Sequence, residues 1–120
     1  MSDGDNTTTG FSLRSTHRDE AVVLAVAGEI DIATGTRLRS ALSEVLEEPG
    51  ARVVVLDLTD VSYMASTGIA VLMDARWSAE QRAKSLRVVV GAAPVVGRLL
   101  RTTGADKALI IYPDVAAALA

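Results

Sequence analysis

The sequence contains no cysteine, which excludes a disulfide framework, thiolate metal sites and a cysteine nucleophile. Aromatic residues are few: one Phe, one Trp and two Tyr, so the core has to be aliphatic. The single histidine, His17, falls in a polar stretch that reads as a hairpin loop, with no partner in sequence to make it a general base. No cluster of residues has metal-ligand spacing, so neither a metal nor a cofactor is expected. Neither G-x-x-x-x-G-K-[ST] nor G-x-G-x-x-G occurs, and G-x-S-x-G is absent as well, which removes the phosphate-cradling loops and the nucleophile elbow. A net charge of −3 argues against a nucleic-acid partner, which calls for a basic stripe. The longest apolar run, Ala21 to Gly28, is too short to span a bilayer. Together these absences leave little from which to build an enzyme and point to a binding protein.

What is present is enough for one folded domain. The chain has 120 residues, of which 49% are apolar, well above the level of a disordered chain. Residues 1–10, from Met1 to Gly10, are polar and acidic, unlike a signal peptide, and read as a disordered tail with nothing to bury. The absence of cysteine and of a leader suits the cytoplasm. Residues 11–120 then read as a single α/β unit.

Periodicity orders that unit. Phe11 and Leu13 alternate with Ser12 and Arg14 as a strand with one wet face, followed by the run Ala21 to Ala27, apolar at every position and read as a strand buried on both faces. The two are expected to pair as a hairpin. Leu38, Leu42, Val45 and Leu46 mark a helix that ends at Pro49-Gly50. Val53 to Leu58 is a second buried strand, interrupted by Asp57, and Ile69, Leu72 and Met73 begin the next helix. In that helix Arg76 and Glu80 fall at i, i+4, where they can pair. Leu86 to Val90, the helix opened by Pro94 and closed near Gly104, the short strand Leu109 to Ile111 and a helix after Pro113 complete the order. Strands alternating with helices require parallel pairing through right-handed crossovers, while the first hairpin makes the sheet mixed. The expected fold is a mixed, mostly parallel sheet of about five strands against about four helices, by the layer rules of α/β folds.

Asp57 after Val53-Val54-Val55-Leu56 resembles the phospho-acceptor strand of a response-regulator receiver. The resemblance ends there: Glu29 and Asp31 are not adjacent, and Tyr112-Pro113, not a lysine, follows the last strand. The simpler role for Asp57 is to bond the backbone of the turn that follows it. The other candidate is the strand-to-helix corner Met64-Ala65-Ser66-Thr67-Gly68. Such corners lie at the carboxyl ends of strands, where α/β folds present functional surfaces. Ser66 or Thr67 falls where an N-cap hydroxyl would satisfy a first-turn amide, a role worth about 1 kcal/mol. Gly68 is costly so early in a helix and signals a close backbone approach, by another element or by a partner. On chemistry alone the capping and functional readings stand level.

Three segments carry a resemblance over nearly all of residues 11 to 119: Gly28-Glu29-Ile30-Asp31, then Asp57 through Gly68, then Arg98 through Ala105. They resemble the STAS-domain anti-sigma factor antagonists, the second segment being similar to that family's aspartate-Ser-Ser/Thr-Gly signature. The resemblance implies a bacterial, cytoplasmic partner-switching protein of transcription and stress regulation. It implies that the chain binds an anti-sigma factor, a serine kinase of the histidine-kinase-like ATPase class, and so releases a sigma factor. It implies phosphorylation of Ser66 by that kinase, reversal by a serine phosphatase, and no nucleic acid or membrane insertion. The partner surface it implies is Asp31, Met64, Ala65, Ser66, Thr67, Gly68 and Ile69. Ala65 departs from the family pattern, in which an aspartate usually precedes the acceptor serine; this bears on phosphorylation more than on docking. Two other functions fit the same residues less closely: an unphosphorylated STAS adaptor in a transport or stress-signalling complex, and a nucleotide-binding or hydrolysing regulator.

Overall fold

Strands that are apolar at every position need cover on both faces, and the chain supplies it unequally. The computed structural model describes residues 4–8, 10–91 and 94–120. It contains a six-stranded sheet with the strands in chain order. These are β1 (Gly4–Thr8), β2 (Phe11–Arg18), β3 (Ala21–Ile30), β4 (Val53–Met64), β5 (Ser85–Val89) and β6 (Ile110–Tyr112). The helices are α1 (Ile32–Glu47), α2 (Ser66–Gln81), α3 (Pro94–Thr103) and α4 (Val115–Leu119), with a 3-10 turn over Ala105–Lys107. β1, β2 and β3 pair antiparallel, and β3 through β6 pair parallel.

Right-handed crossovers that always step to the next strand must place their helices on one face of the sheet. Accordingly α1, α2 and α3 share one core: Leu38 and Leu42, Val71 and Leu72, and Val96 and Leu100 all pack with Val54, Leu56 and Leu58 of β4. The alternate residues Val23, Val55 and Val89 face the other way, where Ala118 of α4 meets them, with Val115 and Leu119 packed alongside. Burial on both faces explains why the central strands read as unbroken Val-rich runs.

The mixed α/β sheet with four helices is the fold expected from the sequence, and β2 to β6 are its five expected strands. The difference lies at residues 1–10, expected to be a disordered tail. Gly4–Thr8 instead forms an antiparallel edge strand against Ser15–Phe11, while residues 1–3 and 9 lie outside the described residues. The physical reason is that edge pairing uses backbone N–H and C=O groups, so a polar segment can join a sheet without burying side chains. His17 is likewise in β2 and not in a loop, with Nε2 at 3.0 Å from both carboxylate oxygens of Glu48.

β4 is longer than its apolar run, reaching Met64 over 12 residues. Beyond Asp57 its register against β3 slips twice, so that Ala25 faces Asp57, Ala27 faces Asp60 and Glu29 faces Tyr63. Asp57 Oδ1 accepts from the amide of Thr59 at 3.0 Å, but both residues lie within β4, so Asp57 is not the strand-end residue bonding a following turn that the sequence suggested. Gly28 sits on this stretch at φ +98°, where a Cβ would lie 1.8 Å from the Gly10 carbonyl oxygen, so only glycine fits.

Candidate functional site

β3 and β4 end side by side at Ile30 and Met64, and each chain turns at once into a helix. The amide of Ala65 donates to the carbonyl of Ile30 at 2.8 Å, so the starts of α1 and α2 are tied together at the carboxyl end of the sheet.

The two helices are capped differently. Asp31 is the N-cap of α1: its Oδ1 accepts from the Thr34 amide at 2.9 Å, and the Thr34 hydroxyl accepts from the Asp31 amide at 2.8 Å. This reciprocal pair is a capping box. The Thr34 amide, and after it the Thr34 hydroxyl, hold the Asp31 carboxyl below its usual value, because both bonds favour the charged form. The N-cap of α2 is Ala65, in extended geometry with no side-chain cap. Ser66 is therefore the first helical residue, and neither it nor Thr67 takes the N-cap position expected from the sequence. The Gly68 amide folds back to the Ala65 carbonyl at 2.8 Å. α2 thus presents an end that carries partial positive charge and no side-chain acceptor of its own.

The residues singled out in the sequence meet here but do not share one environment. Ser66 is exposed, while Asp31, Ala65, Thr67 and Ile69 are half-buried. Met64 and Gly68 are buried and support the corner from beneath. A Cβ on Gly68 would stand 2.5 Å from Met64 Cγ and 3.3 Å from Ile30 Cγ2, so the close approach that Gly68 permits is to β3 and β4. Thr67 Oγ1 is buried without a hydrogen-bond partner, facing Gly35 of α1 at 3.9 Å from where a Cβ there would be.

Two residues at this end were not legible as site residues. Ile32, which opens α1, is 76% exposed, and Tyr63, beside Met64 in β4, is 51% exposed. Ile32 lies outside the stripe Leu38, Leu42, Val45 and Leu46 by which the helix is read, and it stands past the last paired residue of β3. For Tyr63 the signal exists, since strand alternation opposes it to buried Met64, but only once β4 is known to run that far. Among the described residues no cluster of His, Cys, Asp and Glu could hold a metal ion, and no helix is long and apolar enough to cross a membrane.

A mixed sheet with three crossover helices on one face is the architecture expected of a STAS domain. The family model described as "Mlab, STAS domain" matches residues 13–112. The crystal structure of an anti-sigma factor antagonist from Mycobacterium paratuberculosis superposes with a TM-score of 0.80 at 26% identity, covering 98% of this chain and 92% of that one. An anti-sigma-B factor antagonist of Listeria monocytogenes is 39% identical over 95 residues, 78% of this chain and 82% of that protein. One from Staphylococcus aureus is 30% identical over 94 residues, 78% of this chain and 85% of that protein. The chain belongs to the STAS-domain anti-sigma factor antagonist family.

Proposed function

We propose that this protein is an anti-sigma factor antagonist that binds an anti-sigma factor through the end of the sheet around Ser66, and so frees a sigma factor. Its role in this reading is that of a non-enzymatic regulator in the bacterial cytoplasm, and its partner is a serine kinase of the histidine-kinase-like ATPase class. The observation that carries the reading is the exposed Ser66 hydroxyl at the start of α2, a helix end with no side-chain cap.

The same hydroxyl is the control point. Ser66 Oγ takes the γ-phosphoryl group of ATP held by the kinase: the bond to ADP breaks, and the hydroxyl proton passes to a base on the kinase or to water. A serine phosphatase reverses this by hydrolysis, returning the hydroxyl and inorganic phosphate. A phosphate adds roughly −1.5 to −2 charges. At an uncapped helix start it meets favourable amides, so the fold tolerates it. In the middle of a docking surface it brings desolvation and repulsion that shift the partner equilibrium.

Incubation with the cognate anti-sigma kinase and ATP, followed by intact mass, tests this control. The expected result is one added phosphoryl group on wild type and none on Ser66→Ala. No gain on wild type, alongside intact binding, sinks the switch and leaves the docking.

A further inference from the structure

After α3 the chain passes through the 3-10 turn Ala105–Lys107 and returns as the edge strand β6. Arg98 through Ala105, the last of the three segments that resemble the family, lies on this path, and the reading above gives it no task. A cleft of about 450 Å³ opens here between α3 and the β5–β6 end of the sheet. It is lined by Val90, Gly97, Arg101, Asp106, Leu109 and Ile111. Its floor is aliphatic: Leu109 belongs to the main core, and Val90 and Ile111 are half-buried against that core.

Two side chains of opposite charge line this cleft, and they do not meet. Arg101 and Asp106 form no ion pair, with each other or with any other group among the described residues. Gly97 lies one turn before Arg101 on α3, and a Cβ there would stand 3.4 Å from Arg101 Nη1. The guanidinium thus folds back along α3 over a position that carries no side chain. Asp106 is half-buried, and its Oδ1 is closed to water and has no hydrogen-bond partner. A carboxylate so placed has lost solvent on one side without gaining a counter-charge. It therefore gains more from a cation brought to its open side than a fully hydrated carboxylate would.

We infer that this cleft is a binding site for a free amino acid with an apolar side chain. The ammonium group donates to the open side of the Asp106 carboxylate, the ligand's carboxylate accepts from Arg101, and the side chain lies on Val90, Leu109 and Ile111. A ligand that carries both charges satisfies both unpaired side chains at once, and the planar fork of a guanidinium suits a carboxylate. Aliphatic walls with a few convergent polar groups are the usual make-up of a small-molecule site. Ser66 opens a different helix, so this site and the proposed function stand or fall separately.

The test titrates the full chain with leucine, valine and phenylalanine, each alone, and follows the backbone amides by two-dimensional NMR. At least one should bind saturably at millimolar concentration or below, shifting Gly97, Asp106 and Leu109 and leaving Ser66 in place. The same molecule without its ammonium, or without its carboxylate, should bind at least tenfold more weakly; for leucine these are isocaproic acid and isoamylamine. Arg101→Gln and Asp106→Asn should each weaken binding at least tenfold. Gly97→Leu fills the cleft and should bind none of the three. It should melt no lower than wild type, because leucine is a better helix former than glycine. Arg101 is exposed, so its variant keeps the fold and the comparison holds even if another variant does not. No saturable shift with any of the three overturns the inference, and so does binding that Arg101→Gln leaves unchanged. An acid that binds as well as its parent amino acid also overturns it, since Arg101 then holds a simple anion.

Discussion

The amide of Ala65 donates to the carbonyl of Ile30 at 2.8 Å, and this one bond fixes the start of α2 against the end of β3. It is also why Asp31 and Ser66, far apart in sequence, belong to one surface: each is the next residue along its chain. Asp31 meets that position by capping its own helix, whereas Ala65 leaves α2 without a cap and Ser66 open.

Ala65→Asp should therefore stabilise the protein. The backbone at this position is already extended, as an N-cap requires, and an aspartate there can accept from the first-turn amides of α2. The expected gain is about 1 kcal/mol, read as a higher urea midpoint at unchanged slope. The same variant places a carboxylate immediately before Ser66, as in the family pattern, and should be phosphorylated faster than wild type in a timed intact-mass assay.

Gly68→Ala sets two effects against each other. Helix propensity favours alanine by about 1 kcal/mol. The new Cβ, however, would stand 2.5 Å from Met64 Cγ and 3.0 Å from its Sδ, and Met64 is itself buried. Overpacking of this kind costs about 1–3 kcal/mol, so the net expectation is a loss of about 1 kcal/mol. Met64→Ala removes the clashing atoms, so in urea titrations the double variant Met64→Ala/Gly68→Ala should lose less than the two single losses added together.

Asp31→Asn tests the capping box through its pH dependence. The folded carboxyl titrates below its ordinary value, held there by the Thr34 amide and hydroxyl. A carboxylate depressed in the folded state contributes stability above its unfolded pKa, and that contribution fades as pH falls through the folded value. Wild type should thus melt above Asp31→Asn at pH 7, and the gap should narrow as pH falls below about 4. A gap that persists unchanged at low pH would mean that charge is not what the cap uses.

Much of this architecture was legible because the central strands, buried on both faces, leave a largely apolar record: Val22 to Val26 and Val53 to Leu56 without a break, and Leu86 to Val90 with only Arg87 polar. Legibility failed where backbone, and not side-chain burial, made the structure. Gly4–Thr8 pairs as an edge strand with nothing apolar in it. Asp57, Thr59, Asp60 and Ser62 mask the outer half of β4, whose slipped register against β3 breaks the alternation a reader would look for. The corner at Ser66 was found, but its surroundings were not. Gly68 of the signature and Met64 just before it lie beneath the surface, while Ile32, which the sequence reading did not single out, stands on it.

The most direct measurement is a calorimetric titration of the purified ATPase-class anti-sigma factor with wild type, Ser66→Ala and Ser66→Asp. Ser66 is exposed, so alanine there takes no side chain out of the core. Wild type and Ser66→Ala should bind alike, and Ser66→Asp should bind at least tenfold more weakly, a difference of about 1.4 kcal/mol. Equal affinity for all three, or no binding by wild type, would contradict docking at this end of the sheet.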